Sequence, residues 1–376
     1  GRLAELIWLV RWGLGLVRLL VPGVGGTAMG ALVMGLYMAF ALFDIRRRTL
    51  ILCTGLTLVG VSFAYYSKSW GLIVEALNTA TIFTAFFGTI AVLRATAELR
   101  SETAKARQVF AGLSQGQQSG AFLIGGHFIG AILIVGAMAV LAPILGDKAT
   151  EDARLRAALS TMRGLCLASL WSPFWIAMAI TSQYLPGVGL WQIFAFGIPL
   201  SVLGLVMAHV MYSADTDVRE LWRSVNALGV IALPVAVCSL VVVLLTSLTH
   251  LTTLQSVVVG IPVLCMAALA SVGGGVLRQM LGRAYDGLNR IADEVVLVTV
   301  ALALGKVVGH TLTHIGLADA YQAVDLPQEL LIVGVVSIIT IASLVGVHQL
   351  VTITVLLGIV VPLANNVADV VMMEAA

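Results

Sequence analysis

Apolar stretches close to 20 residues long recur from one end of this 376-residue chain to the other. An α-helix needs about 20 apolar residues to cross the hydrocarbon core of a bilayer, so each stretch is long enough to span it. Hydrophobic residues make up 60% of the chain and charged residues only 11%, which is far more apolar surface than a water-soluble core can hide. The sequence therefore predicts an all-α, polytopic transmembrane protein.

The apolar windows and the polar breaks between them predict about 10 to 11 transmembrane helices. Basic residues cluster in alternate loops, and the positive-inside rule places those loops, and the N-terminus, in the cytoplasm. These loops lie at 46–48, 94–107, 219–223 and 278–290. The predicted helices cover residues 3–22, 26–43, 50–66, 70–95, 118–145, 188–212, 226–248, 252–271, 291–312, 328–347 and 350–364.

The apolar stretch from residue 156 to residue 185 does not fit a simple span. The sequence Ser169-Leu170-Trp171-Ser172-Pro173 interrupts it and leaves two pieces of about 13 residues, each about 20 Å long as a helix. Because the hydrocarbon core is about 30 Å thick, we expect a re-entrant helical hairpin. Broken backbone at membrane depth needs protein or a water-filled cavity to satisfy its polar groups, so this break predicts a solute path.

The pair Ser172-Pro173 favours a helix start, because serine caps helices well and proline suits the first helical position. The N–H groups of such a start attract an anion. Arg163 would add a positive charge, and a proline kink with internal serine capping is the alternative interpretation. The predicted solute-binding residues are Arg163, Ser169, Trp171, Ser172 and Pro173, with Trp175 as a further aromatic wall.

Glu75 and Lys306 are ionisable residues that lie inside predicted helices, away from the basic loops. A charge at membrane depth costs about 3 kcal/mol or more unless it is paired, so both are functional candidates. The alternatives are an interfacial capping acid for Glu75 and a side chain that reaches the membrane surface for Lys306. His127 and His348 are candidate proton relays, or else packing residues whose ring nitrogens are satisfied internally.

A weak internal repeat adds two asparagines to these candidates. The order acid, small residue, leucine, asparagine ends at Asn78 in the first part of the predicted helix 70–95, and at Asn289 at the start of the predicted helix 291–312. His127 and His348 then follow, and the charge rule gives the two halves opposite orientations. This is the pattern of an inverted repeat, which is common in secondary transporters. The coupling or relay candidates are Asn78, Asn289, Glu75, Lys306, His127 and His348.

The repeat divides the chain into four parts. N-terminal helices cover 1–43, a first repeat with its hairpin near 156–185 covers 44–212, connecting helices cover 213–271, and a second repeat covers 272–376. The second repeat lacks a counterpart to the hairpin, so we expect either that this hairpin lies beyond Ala376 or that the symmetry of the two repeats is incomplete.

Other functional classes are disfavoured. The formal net charge of +2 is spread over short loops, so no basic surface for nucleic acid is expected. No catalytic motif is present, and we predict neither an enzyme nor an organic cofactor. His310 and His314 have metal-ligand spacing, but no third ligand is evident nearby, so no metal site is predicted.

Arg163-Gly164, Leu170-Trp171-Ser172-Pro173 and Leu185-Pro186-Gly187 resemble a set of bacterial inner-membrane proteins related to the ion transporter superfamily. Dicarboxylate, citrate, arsenite and sodium/proton carriers belong to that superfamily. The resemblance implies two re-entrant hairpins from inverted repeats, in a dimer that works by an elevator motion. It also implies that Ser172 and Pro173 form one hairpin tip.

The predicted function is secondary active transport of a small, anionic solute, driven by a proton or sodium gradient. The expected partners are that solute, the lipid bilayer and a second copy of the chain or a larger membrane complex. The alternative is a non-transporting membrane subunit that scaffolds such a complex.

Overall fold

The computed structural model describes residues 26–100, 118–134, 136–145, 149–185, 187–212, 218–270, 274–288, 291–316 and 328–361, and most of these residues are helical. The helices are α1 (Gly26–Ala41), α2 (Arg47–Ser67), α3 (Trp70–Leu99), α4 (Gln118–Leu133), α5 (Gly136–Leu141), α6 (Glu151–Ala168), α7 (Ile176–Tyr184), α8 (Leu190–Tyr212), α9 (Val218–Leu248), α10 (Thr253–Ala270), α11 (Gly274–Leu288), α12 (Ala292–His314), α13 (Gln328–Leu344) and α14 (Gln349–Val360), with a 3₁₀ turn at Ala142–Leu145.

The predicted all-helical class is confirmed, and one local prediction is wrong. The helix predicted over 118–145 is interrupted at Ile134, whose φ of 51° is left-handed. Farther along the chain, α11 begins at Gly274. Met280 and Ala284, one helical turn apart, are both buried, which shows that one face of α11 packs against the protein.

The interruption near Ser172 is present, but it divides the chain unequally. Helix α6 has 18 residues and α7 has nine. The longer first piece begins early because the Thr150 hydroxyl accepts a hydrogen bond from the N–H of Ala153 at 3.3 Å. Glu151 and Asp152 then occupy the first turn, where negative charge is favourable. The re-entrant placement of this segment remains a prediction.

Five described helices are long and apolar enough to cross a membrane, which indicates a membrane protein. They are α2, α3, α8, α10 and α12. The apolar windows of α2 and α8 are only 11% and 17% buried, and their exposed faces carry large side chains such as Leu58, Phe196 and Leu203. Apolar surface on this scale is not tolerated in water.

The chain forms two compact units that interleave in sequence. Unit 1 comprises the residues up to Gly88, residues 179–188 and the residues from Tyr285 onward. Unit 2 comprises residues 89–178 and 189–284. The chain therefore passes between the units four times: inside α3, inside α7, between Val188 and Gly189, and inside α11.

In unit 1, helices α2 and α12 begin at the same end. The backbone N–H of Arg46 donates to Asp293 at 3.0 Å, and the Arg46 guanidinium lies 3.6 Å from the same carboxylate. Gly60 then packs on Leu304 farther along both helices, so the two helices run parallel. The core between them contains Ala41, Cys53, Val296, Leu297, Val300, Ala301 and Val351.

Candidate functional site

The break between α6 and α7 is buried in unit 2. Trp171 is 9% exposed and Ser172 is fully buried, although the chain around them carries backbone polar groups outside any helix. Proline alone does not explain the break, because Pro199, Pro234 and Pro262 lie inside continuous helices. The contacts of Trp171 and Ser172 with α4 must therefore hold the chain in this conformation.

Helix α4 reaches the break because it packs on α6 with almost no space between their backbones. A Cβ on Gly164 would lie 1.9 Å from the carbonyl oxygen of Leu123, and one on Gly126 would lie 2.4 Å from that of Thr161. Gly130 is similarly close to Leu165. The contacts of Gly126 with Thr161 and of Gly130 with Leu165 advance by four residues along both helices, so α4 and α6 are parallel. Small residues permit such close contacts between membrane helices.

This packing places His127 between α6 and the break. Its Nδ1 lies 3.2 Å from the carbonyl oxygen of Gly164, and its Nε2 lies 3.2 Å from the indole Nε1 of Trp171. A carbonyl can only accept a hydrogen bond and an indole N–H can only donate one. Both bonds are therefore satisfied by one form of the ring, the neutral tautomer with its proton on Nδ1. His127 is 5% exposed.

Ser172 makes the second connection between the break and α4. Its hydroxyl donates to the carbonyl oxygen of Ala131 at 2.6 Å and accepts from the N–H of Phe174 at 3.3 Å. Ala131 lies in the last turn of α4, where carbonyl groups lack intrahelical partners. Ser172 thus caps the end of α4 and stabilises its own turn. Its hydroxyl already has both of these partners.

Ser169 and Arg163 have partners elsewhere in unit 2. The Ser169 hydroxyl donates to the carbonyl oxygen of Cys166 at 2.6 Å, and the Arg163 guanidinium lies 3.7 Å from the centre of the Tyr212 ring. Trp175 is different, because its indole Nε1 is buried and has no hydrogen-bond partner among the described residues. The sequence indicated an aromatic wall at Trp175, but not a free donor.

No family model and no curated protein matches the sequence. The assignment of a function therefore depends on the chemistry of the two units themselves.

In unit 1 the two intramembrane ionisable candidates meet. The Lys306 ammonium donates to the Glu75 carboxylate at 2.5 Å. Lys306 lies three residues beyond the middle of α12, and its side chain is 23% exposed. Asn78 is one turn from Glu75 on α3, and its buried side-chain oxygen has no hydrogen-bond partner within the described part of the chain. The ion pair thus joins two of the predicted coupling residues, and the third, Asn78, lies one helical turn from it.

Removal of one charge of this pair is expected to destabilise the protein more than removal of both. Glu75→Gln leaves an unpaired ammonium and Lys306→Met leaves an unpaired carboxylate, each at membrane depth. The double variant leaves neither. We expect the melting temperature of the double variant to exceed that of at least one single variant. If the two losses in melting temperature simply add, the pair contributes no coupling.

A second close helix pair lies beside Lys306. A Cβ on Gly309 would lie 1.9 Å from the carbonyl oxygen of Gly358, and one on Gly305 would lie 2.8 Å from that of Thr354. Helices α12 and α14 are therefore parallel, as α4 and α6 are. The phenol oxygen of Tyr184 also lies 2.8 Å from the Gly305 Cβ position, and this buried oxygen has no hydrogen-bond partner in the residues that the structure describes. Sequence reasoning gave no indication of this tyrosine.

The two helix pairs share one register. The glycine positions differ by 305 − 126 = 179 and 309 − 130 = 179, and their contact residues by 354 − 161 = 193 and 358 − 165 = 193. The offset of 179 also relates His127 to Lys306. His127 directly follows Gly126 in one helix pair, and Lys306 directly follows Gly305 in the other. His127 therefore corresponds to Lys306 in this register, whereas the sequence repeat paired His127 with His348.

The remaining relay candidates are His348 and Asn289, and His348 does not take part in the polar contacts described above. His348 is exposed and caps α14, where its Nδ1 accepts from the N–H of Leu350 at 3.3 Å. His348 is therefore an exposed N-cap residue, whereas His127 is a buried residue in the interior of α4. Asn289 lies outside the described residues.

Proposed function

We propose that this protein is a secondary active transporter that moves a small anionic solute across a bacterial inner membrane. The observation that carries the proposal is the buried break at Trp171 and Ser172, held among apolar helices by hydrogen bonds to α4. Non-helical backbone inside a membrane protein is tolerated only where it is buried in protein or lines a water-filled cavity. Discontinuous helices of this kind are typical of the binding sites of secondary transporters, which supports the proposal.

Trp175 is the residue we expect to contact the solute. Its buried indole N–H has no acceptor among the residues that the structure describes, and such a group costs free energy until it is paired. The oxygen of a carboxylate or an inorganic oxyanion would provide the acceptor. Ser172 supports this site by fixing the turn, since both of its hydrogen bonds are made within the protein.

We assign coupling to the Glu75–Lys306 pair, with a proton or sodium as the driving ion. Ionisable groups in membrane helices are costly and are typical of ion and proton pathways. The contact of Arg46 with Asp293 supports the predicted sidedness of unit 1, because it joins the basic loop at 46–48 to the start of α12. By the positive-inside rule this end faces the cytoplasm.

The experiment that tests the proposal is thermal-shift binding on the purified chain. Carboxylates and inorganic oxyanions are screened with and without sodium and at several pH values. A ligand at 100 times its Kd should stabilise the protein by about 2.7 kcal/mol. Trp175→Phe removes the N–H and keeps an aromatic ring, so it should weaken binding about tenfold or more. Trp191→Phe is the matched control, because Trp191 is 60% exposed on α8.

Two results would count against transport. If no anion shifts the melting temperature under any ionic condition, the solute site is not as proposed. If the chain also purifies with a stoichiometric partner, the non-transporting subunit becomes the better description. If a ligand binds wild type and Trp175→Phe equally, the transporter proposal stands, but Trp175 does not contact the solute.

A further inference from the structure

The last two turns of α12 carry a pair of histidines that the proposed function does not use. His310 and His314 are one helical turn apart, with their rings parallel to within 9° and their centroids 6.2 Å apart. Both residues are exposed, and neither ring has a hydrogen-bond partner among the described residues. The two imidazoles are therefore free to turn toward a shared ligand.

The position of the pair in the fold makes it accessible. Helix α12 has 23 residues, which at 1.5 Å per residue is about 34 Å and matches a full bilayer crossing. Arg46 contacts Asp293 in its first turn, and His314 is its last residue. The histidines thus lie at the end of α12 opposite to the basic loop at 46–48, where the membrane meets water.

The spacing and chemistry fit a divalent transition metal. Two histidines at positions i and i+4 lie on one face of a helix, the arrangement by which helical metal sites supply two imidazole ligands. Neutral imidazole binds Zn²⁺ at about 2.0–2.1 Å, and tetrahedral coordination leaves two positions for water. No group of three His, Cys, Asp or Glu residues in the described part of the chain forms a closed site. A bound ion therefore keeps open positions.

We propose that His310 and His314 form a Zn²⁺ site on the face of the membrane opposite to the basic loops. Softness and geometry favour zinc over magnesium or calcium, which prefer oxygen ligands. The site is independent of solute transport, since it needs only the last two turns of α12.

The test is isothermal titration calorimetry of ZnCl₂ into the purified full chain, prepared without a histidine tag. We expect one Zn²⁺ per chain, and a Kd at least tenfold weaker in either His310→Ala or His314→Ala. His250→Ala is the matched control, because His250 is exposed and lies in unit 2. It should bind Zn²⁺ like wild type, and MgCl₂ should produce no binding heat with any of these proteins.

A second measurement does not depend on substitutions. Zn²⁺ should protect both histidines of wild type from diethylpyrocarbonate, as read by mass spectrometry of the modified peptides, and should leave His250 reactive. The proposal is overturned if wild type binds no Zn²⁺, if both single variants bind it as wild type does, or if Zn²⁺ leaves His310 and His314 fully reactive.

Discussion

Replacement of Gly164 by alanine is expected to lower the melting temperature by roughly 10 °C. The added methyl group would lie 1.9 Å from the carbonyl oxygen of Leu123 and 2.8 Å from the backbone nitrogen of His127. Backbone atoms cannot move aside as a flexible side chain can, so α4 and α6 must separate. Overpacking typically costs 1–3 kcal/mol, and we expect about 3 kcal/mol here. Thermal unfolding in detergent measures the loss.

The matched control is Gly282→Ala, also in unit 2. Its Cβ would meet nothing within 4 Å, so the same substitution there should leave the melting temperature within about 2 °C of wild type. Equal losses in the two variants would contradict the close helix pair, because they would show that alanine is tolerated equally at both positions.

Substitutions of His127 should rank by whether they keep an acceptor for Trp171. The side-chain oxygen of His127→Gln can replace Nε2, whereas His127→Asn can replace only the donor at Nδ1. The acceptor matters more, because the Gly164 carbonyl keeps its own helical bond while the buried indole N–H would have no partner. We expect His127→Asn and His127→Ala to lose about 1–3 kcal/mol and His127→Gln to lose less.

The same ranking can be tested by a double-mutant cycle. Trp171→Phe removes the indole donor, so in that background His127→Gln and His127→Asn should have similar stability. If glutamine keeps its advantage without Trp171, the Trp171–His127 bond is not its cause. Chemical or thermal unfolding of the six proteins gives the free energies needed.

Sequence periodicity predicted most of the helices because each helix must satisfy its own backbone inside a bilayer. The break at Ser172 was also predictable, since serine and proline there oppose a continuous helix. Its contacts were not predictable. His127 precedes Trp171 by 44 residues, and nothing local to either residue indicates that their rings meet.

In the candidate site, too, single residues were predictable from the sequence but their contacts were not. Glu75 and Lys306 were identifiable one at a time, because any charge inside an apolar helix is unusual. Their pairing joins residues 231 positions apart in the chain, and only the packing of unit 1 reveals it. Trp175 was predicted only as an aromatic wall and Tyr184 was not predicted at all, because a buried polar atom without a partner is a property of the surroundings and not of the residue type.

The sequence by itself determined that this chain is helical and suited to a membrane, because apolar length and composition depend on residues that are neighbours in the chain. The tertiary structure decided which polar groups are paired and which are left free. It also decided the register of the two parallel helix pairs, where glycines bring backbones within reach of each other. Those contacts depend on the close approach of distant segments, and a one-dimensional pattern does not contain that information.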